Sequence, residues 1–468
     1  MVFSSLSFLC VFLPIVLLLY YLLPNLWVKN ALLIVVSLLF YAYGEPVYIV
    51  LMIFSTIINY LFGRLLETEH YRTRKIVVFL TVLINVGLLL VFKYLDMIIE
   101  TINRILNSDI PVQNLSLPVG ISFFTFQAMS YVLDVYRKDV EVQKNYFNIV
   151  LYISFFPQLI AGPIVRYYDV QKQIVSRKTD VKEIAQGFRR FIIGLSKKVL
   201  ISNTVALAVD GIFSTQMDRL NILSVWMGAI AYLIQLYFDF SGYSDMAIGL
   251  GHMFGFNFLE NFQYPYISSS IKEFWKRWHI SLSVWFKEYL YIPLGGNRKG
   301  KLRTRINKMI VFLATGLWHG ANWTFVIWGI WHGLFLLLED ILPIKKIPKV
   351  VTHVYTLMVV CIGFVIFRAD TLADGALMIK KMFLGWEFSK GQMQVALYHL
   401  NPLFLLMMIV GIVGSLPIIP RLKAKEITGT QKWEVASGLT YICSFALLIL
   451  CMLSLSGSTY NPFIYFRF

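Results

Sequence analysis

Apolar stretches long enough to cross a lipid bilayer, or nearly so, recur along this chain from Leu6 to Leu455. In hydrocarbon every backbone N–H and C=O must be satisfied internally, so only helices and closed barrels span it. The runs here are long and do not alternate, which excludes a barrel and predicts an all-α, polytopic helical membrane protein. Composition agrees: 15% of the 468 residues are charged, against about 25% in soluble domains. Mean hydropathy is +0.67. The formal charge of +16 on such a chain first reports cytoplasmic loops and anionic headgroups rather than nucleic acid. Cys10, Cys361, Cys443 and Cys451 lie in apolar stretches without CxxC or Cys/His spacing, so neither a disulfide framework nor a metal site is expected.

The apolar run 6–23 has no basic residue before it and no small-residue cleavage pattern, and is expected to be a retained first span. Further segments are predicted at 31–42, 47–62, 76–92, 121–135, 147–159, 223–237, 309–318, 323–338, 350–367, 402–419 and 436–455. This gives about ten to thirteen in all, several too short to cross alone. Positive-inside bookkeeping places Arg64, Arg72, Arg74 and Lys75 in the cytoplasm, and then Arg137, Lys138 and Lys144. It fails at the next loop, which carries Arg166, Lys172, Arg177, Lys178, Arg189 and Arg190 yet should lie outside. A re-entrant or broken helix at Phe155-Phe156-Pro157 and Gly162-Pro163 restores the count and suggests a funnel, since irregular backbone at membrane depth is tolerated where protein buries it. No repeat or linker divides the chain, so residues 1–468 are expected to form a single integral membrane domain. Its core would cover about 118–340, followed by C-terminal helices and a tail over 350–468.

The segment Lys272 to Lys308 carries ten Lys or Arg against two Glu, half of the chain's net charge. Wound as one helix from Ile271, it puts Trp275, Trp278, Leu282, Trp285, Phe286 and Tyr289 on one face and Lys272, Lys276, Arg277, Lys287 and Glu288 on the other. That is an interfacial amphipathic helix, with His279 at the edge of its apolar face. The helix should stop before Pro293, leaving Gly295-Gly296-Asn297 and Arg298, Lys299, Lys301, Arg303 and Arg305 as a flexible cationic loop. A straight helix over 309–338 would run about 45 Å, longer than the ~30 Å hydrocarbon core. It should break, with Gly316, Gly320 and Asn322 as the weak points.

His319 sits in Gly-Leu-Trp-His-Gly and His332 in Gly-Ile-Trp-His-Gly. An ionisable group in a Trp-lined membrane segment is costly, so each is a candidate for chemistry, with a general base as the natural role. The bland reading is a neutral histidine bonded to a backbone carbonyl. His70, His252, His353 and His399 read as structural or loop-exposed. The cationic segment reads as a solvated loop, an anionic-lipid anchor, or a grip for a phosphorylated donor whose reactive end reaches the histidines. Asp239, Ser241, Tyr243 and Asp245 end the predicted span 223–237, where they could orient a histidine, line a cavity, or cap and pack a helix break. No Walker-type loop, GxSxG elbow or HExxH is present, and hydride chemistry, ATP hydrolysis and zinc proteolysis lack support.

Several motifs together resemble the membrane-bound O-acyltransferase (MBOAT) family, in its bacterial alginate O-acetylation branch. They are Met-Val-Phe-Ser-Ser at the start, Phe155-Phe156-Pro157-Gln158 with Ala161-Gly162-Pro163, and Phe238-Asp239-Phe240-Ser241-Gly242-Tyr243-Ser244-Asp245. They continue through Phe274-Trp275-Lys276-Arg277-Trp278-His279-Ile280-Ser281-Leu282-Ser283, Tyr291-Ile292-Pro293-Leu294-Gly295-Gly296-Asn297-Arg298 and Gly316-Leu317-Trp318-His319-Gly320-Ala321-Asn322-Trp323. The resemblance implies a helical fold around a central funnel in a bacterial cell membrane, with no bound metal or cofactor. It implies a cytosolic acyl donor, expected to be acetyl-CoA gripped by Arg298, Lys299, Lys301 and Arg303, and an acceptor reached from the other side. By that resemblance His319 takes the proton of the attacking hydroxyl, and His279 orients the acyl group or stabilises the oxyanion. His332 is a further site candidate.

The ending Pro462-Phe463-Ile464-Tyr465-Phe466-Arg467-Phe468 resembles the FxYxxF end of the small partner peptide in teichoic-acid D-alanylation, which makes Tyr465 a candidate acyl relay. The bland reading has the phenylalanines anchoring the tail at the interface. The expected function is O-acetylation of a cell-surface polysaccharide such as alginate or peptidoglycan, finished by an extracytoplasmic SGNH-type partner. D-alanyl transfer to teichoic acid, a non-enzymatic exporter and a scaffold are the alternatives. An exporter or a scaffold predicts that His279 and His319 are dispensable.

Overall fold

A computed structural model of the chain describes residues 2–160, 162–418, 431–458, 460, 461 and 464, with the backbone alone at 345, 431–437 and 439. Tyr465, singled out above, lies outside the described residues. The regular elements among the described residues are all helices, without a strand. In chain order the helices are α1 (Phe8–Leu22), α2 (Leu26–Gly44), α3 (Ile49–Leu65), α4 (Tyr71–Leu106), α5 (Ile121–Arg137), α6 (Tyr146–Ser154), α7 (Phe156–Leu159), α8 (Tyr167–Val175), α9 (Val181–Phe213) and α10 (Ile222–Met253). Two short helices follow, α11 (Ile271–Arg277) and α12 (Ile280–Phe286). The remainder are α13 (Gly300–His319), α14 (Trp323–Glu339), α15 (Lys349–Arg368), α16 (Leu372–Leu384), α17 (Lys390–His399), α18 (Pro402–Gly414) and α19 (Gln431–Gly457).

Six of these are long and apolar enough to cross a membrane. One bent pair, α17 with α18 at 65°, passes the same test, and α1, α3 and α14 are shorter apolar helices. Large apolar side chains such as Trp27, Val35, Leu39 and Tyr43 on α2 are exposed. Lipid tails are as apolar as these side chains, so their exposure carries no hydrophobic penalty.

The chain groups into two compact units. The first comprises residues 1–191 with 246–259, and the second 192–245 with 260–468, so α9 and α10 each contribute to both. In the first unit the break at Phe155 is where the Pro-containing sequence predicts it. Helix α6 ends at Ser154 and Phe156 opens α7, its N–H satisfied by Ser37 Oγ at 3.1 Å. The Phe156 ring packs among Phe8, Phe12 and Phe40. The basic stretch that upsets the charge count is helical in part, with Lys172 in α8 and Arg189 and Arg190 in α9, while Arg166, Arg177 and Lys178 lie outside them. Its Arg177 donates to the Phe254 carbonyl at 3.0 Å, an oxygen that Tyr20 Oη also reaches at 2.8 Å.

Two sequence expectations are corrected here. The polar run from Asp239 to Asp245 does not end a helix, because α10 continues unbroken to Met253. Its carboxylates pair with two lysines adjacent in sequence, Lys198 with the buried Asp239 and Lys197 with the half-buried Asp245, each at 2.6 Å. The segment from Ile271 is likewise not one amphipathic helix. It divides at Trp278–His279 into α11 and α12, the latter continuing as a π-helical turn over Lys287–Tyr291.

Candidate active site

The second unit holds all three histidines singled out from the sequence, and each is placed by a different local device. His279 has φ of +45°, a left-handed conformation that is strained for a residue with a side chain. Groups from an upstream segment make the break affordable. Gln263 N–H donates to the Arg277 carbonyl at 2.9 Å, Ile280 N–H to the Asn261 carbonyl at 2.9 Å, and Ser281 N–H to Asn261 Oδ1 at 3.1 Å. The backbone groups that a continuous helix would satisfy are therefore satisfied from outside it. The other end of α11 is fixed by Glu339 of α14, whose carboxylate accepts the N–H groups of Ile271 and Lys272, a favourable place for negative charge. Within α11, burial works to raise the Glu273 carboxyl, but hydrogen bonds from Ser269 and Arg277 outweigh it and hold it below the usual carboxylate range.

His319 is the last residue of α13, and the break behind it falls where glycine and asparagine predict it. Gly320 is extended, and Asn322 caps α14 by accepting the Thr324 N–H at 3.0 Å. Gly316, expected as a further weak point, instead lies inside α13 as a packing residue. A Cβ there would sit 2.3 Å from the Phe325 carbonyl oxygen, and one on Gly329 of α14 would sit 2.4 Å from that of Phe312. The two helices meet backbone to backbone, in the manner of small-residue contacts in membranes, and this contact sets the height of His319 against His332.

The rings form a continuous series: His279–Trp318 at 5.9 Å, Trp318–His319 at 5.0 Å, His319–Trp328 at 4.9 Å and Trp328–His332 at 5.1 Å between centroids. His279, His319 and His332 are all buried. His319 Nδ1 lies 2.7 Å from the Thr315 carbonyl oxygen. A carbonyl only accepts, so in the neutral ring Nδ1 carries the proton and Nε2 carries the lone pair, the state of a general base. His332 is enclosed by Phe274, Trp275 and Trp328, and its Nε2 faces Gly363 of α15. Neither of its ring nitrogens meets a hydrogen-bond partner among the described residues.

Thr315 is also part of the lining of a cavity of about 230 Å³. Its inner wall is apolar, with Trp275, Leu282, Phe286, Phe312 and Leu336, and it carries four lysines: Lys272, Lys276, Lys287 and Lys308. Lys308 is held by Asp340 at 2.5 Å, while Lys272, Lys276 and Lys287 are exposed. The cations expected from sequence lie elsewhere. Arg298 and Lys299 are exposed at the end of the turns before α13, whereas Lys301 and Arg303 are exposed in its first turns rather than in a loop. Asn307 ties the preceding turns to α13 by donating to the Gly296 carbonyl at 2.9 Å. Lys272, Lys276 and Lys287 belong to the polar face expected of the cationic segment, but their meeting with Lys308 around one cavity was not expected, because Lys308 is separated from them by the turns around Pro293. The 3.6-residue spacing of Lys272 and Lys276 was the available signal. Asp239, Ser241 and Tyr243 are buried on α10, with Asp239 and Asp245 paired to lysines rather than offered as capping groups.

Buried histidines beside a lysine-rimmed apolar cavity, in a chain with six helices long and apolar enough to cross a membrane, define a polytopic membrane protein with an enzyme-like centre. The membrane-bound O-acyltransferase family pattern matches residues 122–343. The chain is 39% identical to the probable alginate O-acetylase AlgI of Pseudomonas putida over the whole of both chains. It is 36% identical to the peptidoglycan O-acetyltransferase of Helicobacter pylori over 82% of this chain and 80% of that one. At greater distance it is 29% identical to the teichoic acid D-alanyltransferase of Bacillus subtilis, over 55% of this chain and 70% of that one. The chain belongs to the membrane-bound O-acyltransferase family and is a multi-pass membrane acyltransferase.

Proposed function

We propose that this protein takes an acetyl group from cytoplasmic acetyl-CoA and moves it across the membrane for O-acetylation of a cell-surface polysaccharide, working as one integral membrane domain with an extracytoplasmic SGNH-type partner. The observation that carries the reading is the His319–Thr315 contact: the residue whose carbonyl fixes the tautomer of His319 also lines the lysine-bearing cavity. The lysines suit the phosphates of a coenzyme, and the apolar wall suits its pantetheine arm and thioester. Arg298, Lys299, Lys301 and Arg303 would add attraction at the approach rather than contacts inside.

In the proposed step a hydroxyl attacks the thioester carbonyl as His319 Nε2 accepts its proton, and His279 supports the oxyanion of the tetrahedral intermediate. That intermediate collapses with cleavage of the C–S bond, and the coenzyme leaves as the thiol with the proton returned by His319. The attacking hydroxyl is that of Tyr465, which becomes an acetyl ester and later yields the acetyl group to a polysaccharide hydroxyl through the partner, regenerating the phenol. Relatives named for acetylation of alginate and peptidoglycan support an acetyl donor and a polysaccharide acceptor.

Purified protein in nanodiscs, given labelled acetyl-CoA in one arm and a D-alanyl-loaded carrier protein in the other, tests donor and relay together. Acetyl label recovered as an ester on Tyr465 is the expected result. Label only from the D-alanyl carrier, or acetyl consumption with no Tyr465 ester, overturns the donor or the relay respectively.

A further inference from the structure

The Lys198–Asp239 ion pair is the most deeply buried ion pair among the described residues, with side chains 1% and 0% exposed. Desolvating two charges costs several kcal/mol each, and an apolar pair of similar volume often does as well or better for stability. Its position therefore asks for a second role. Asp239 Oδ1 faces Lys198, while Oδ2 accepts the backbone N–H of Ile464 at 3.1 Å. Ile464 is 8% exposed and packs in the same apolar core as Ile201, Val205, Val209 and Phe238.

Two further polar anchors hold the residues just before it. Tyr460 Oη donates to Asp210 Oδ2 at 2.5 Å, and Arg368 binds the other oxygen of that carboxylate at 2.7 Å. Asn203 Nδ2 donates to Asn461 Oδ1 at 3.1 Å. Thus α9 and α10 hold Tyr460, Asn461 and Ile464 through three separate polar contacts, with Arg368 of α15 steadying Asp210, and Ile464 immediately precedes Tyr465 in the sequence. A tail retained only by aromatic side chains would need none of these.

We propose that Lys198 and Asp239 are positioning residues: the buried pair fixes the Ile464 N–H, and thereby the register of the C-terminal tail, so that Tyr465 is presented for acylation. The consequence for catalysis rests on the acyl-relay reading of Tyr465, whereas the docking of the tail stands on its own geometry. Lys198 aims the Asp239 side chain by holding Oδ1 at 2.6 Å, which leaves Oδ2 turned to the Ile464 N–H.

Two variants of the full-length protein in nanodiscs test it. Lys198→Met/Asp239→Leu replaces the pair with apolar groups of similar size and removes the acceptor, while Ile464→Pro removes the donor N–H together with the isoleucine side chain. Unfolding temperature, hydrogen exchange of the tail amides, the donor concentration for half-maximal rate and the first-turnover rate of acetyl transfer to the chain are measured. Both variants are expected to keep the unfolding temperature and the donor dependence, and to lose about 100-fold in first-turnover rate, the scale of a ~1 Å misplacement of reacting groups. The pair variant should also lose exchange protection at residue 464, and Ile464→Val, which keeps the N–H, should behave as wild type.

Unchanged rates in both variants, or equal protection of residue 464 with and without the pair, overturn the proposal. So does a rate loss confined to the pair variant and matched by a lower unfolding temperature, which makes the pair merely structural. Tyr465→Phe separates the two layers: a wild-type rate in that variant removes the relay reading, while the exchange result still decides the docking.

Discussion

At the scale of the residue, the proposed chemistry depends on which nitrogen of His319 carries the lone pair. The Thr315 carbonyl assigns it to Nε2. Asparagine at this position can donate to the same carbonyl but cannot accept a proton at neutral pH, so His319→Asn should fold, bind donor and fail to turn over. A fluorescent coenzyme-binding assay beside the transfer assay checks this split. At the cavity, Lys272→Gln or Lys276→Gln should raise the donor KM roughly two- to fivefold each, the worth of an exposed ion pair, with kcat kept. The difference should shrink at high salt as screening removes it. Equal salt dependence of wild type and variant counts against these lysines as donor contacts. The histidines themselves were legible as residues, since a Trp-flanked histidine between glycines in an apolar run is conspicuous. The cationic segment was legible too, but not the convergence of its lysines on one cavity, because Lys308 joins Lys272, Lys276 and Lys287 only after the chain has turned back on itself.

At the scale of the element, the α13–α14 pair is the part of the site whose geometry is most tightly constrained. A methyl group on Gly316 meets the backbone oxygen of Phe325, and one on Gly329 meets that of Phe312, neither of which can swing aside. Gly316→Ala and Gly329→Ala should each destabilise the protein by about 1–3 kcal/mol, the usual cost of overpacking, and lower activity further by displacing His319. Thermal unfolding in detergent and the first-turnover rate read the two effects separately. Helix breaks were legible where the chain carries its own signal: Pro157 follows the break at Phe155, and Gly320 with Asn322 marks the end of α13. The break at His279 carries none, because Trp278-His279-Ile280 continues the apolar periodicity without glycine or proline. Hydrogen bonds from Asn261 and Gln263 decide it. The same holds for α10, where Asp239 and Asp245 look like the end of a span until Lys198 and Lys197, some forty residues earlier, neutralise them.

At the scale of the whole molecule, the proposed relay would make the protein an acyl carrier that needs a second protein to discharge it. Purified alone with acetyl-CoA, the chain should take up about one acetyl group and stop, as an acyl-enzyme burst does, and intact-mass spectrometry follows that uptake directly. Adding the extracytoplasmic partner and polysaccharide should convert the burst into steady turnover. The all-helical membrane class and the family were legible from the length of the apolar runs and from motifs that stay contiguous in the chain. The division into two compact units was not, because each unit is assembled from separated segments and α9 and α10 belong to both. The most direct test of the central claim is the first-turnover release of coenzyme thiol from acetyl-CoA by wild type and His319→Ala in nanodiscs. A general base at this position predicts a loss of about 10²–10⁴-fold with donor binding retained. Equal release by the two proteins contradicts it.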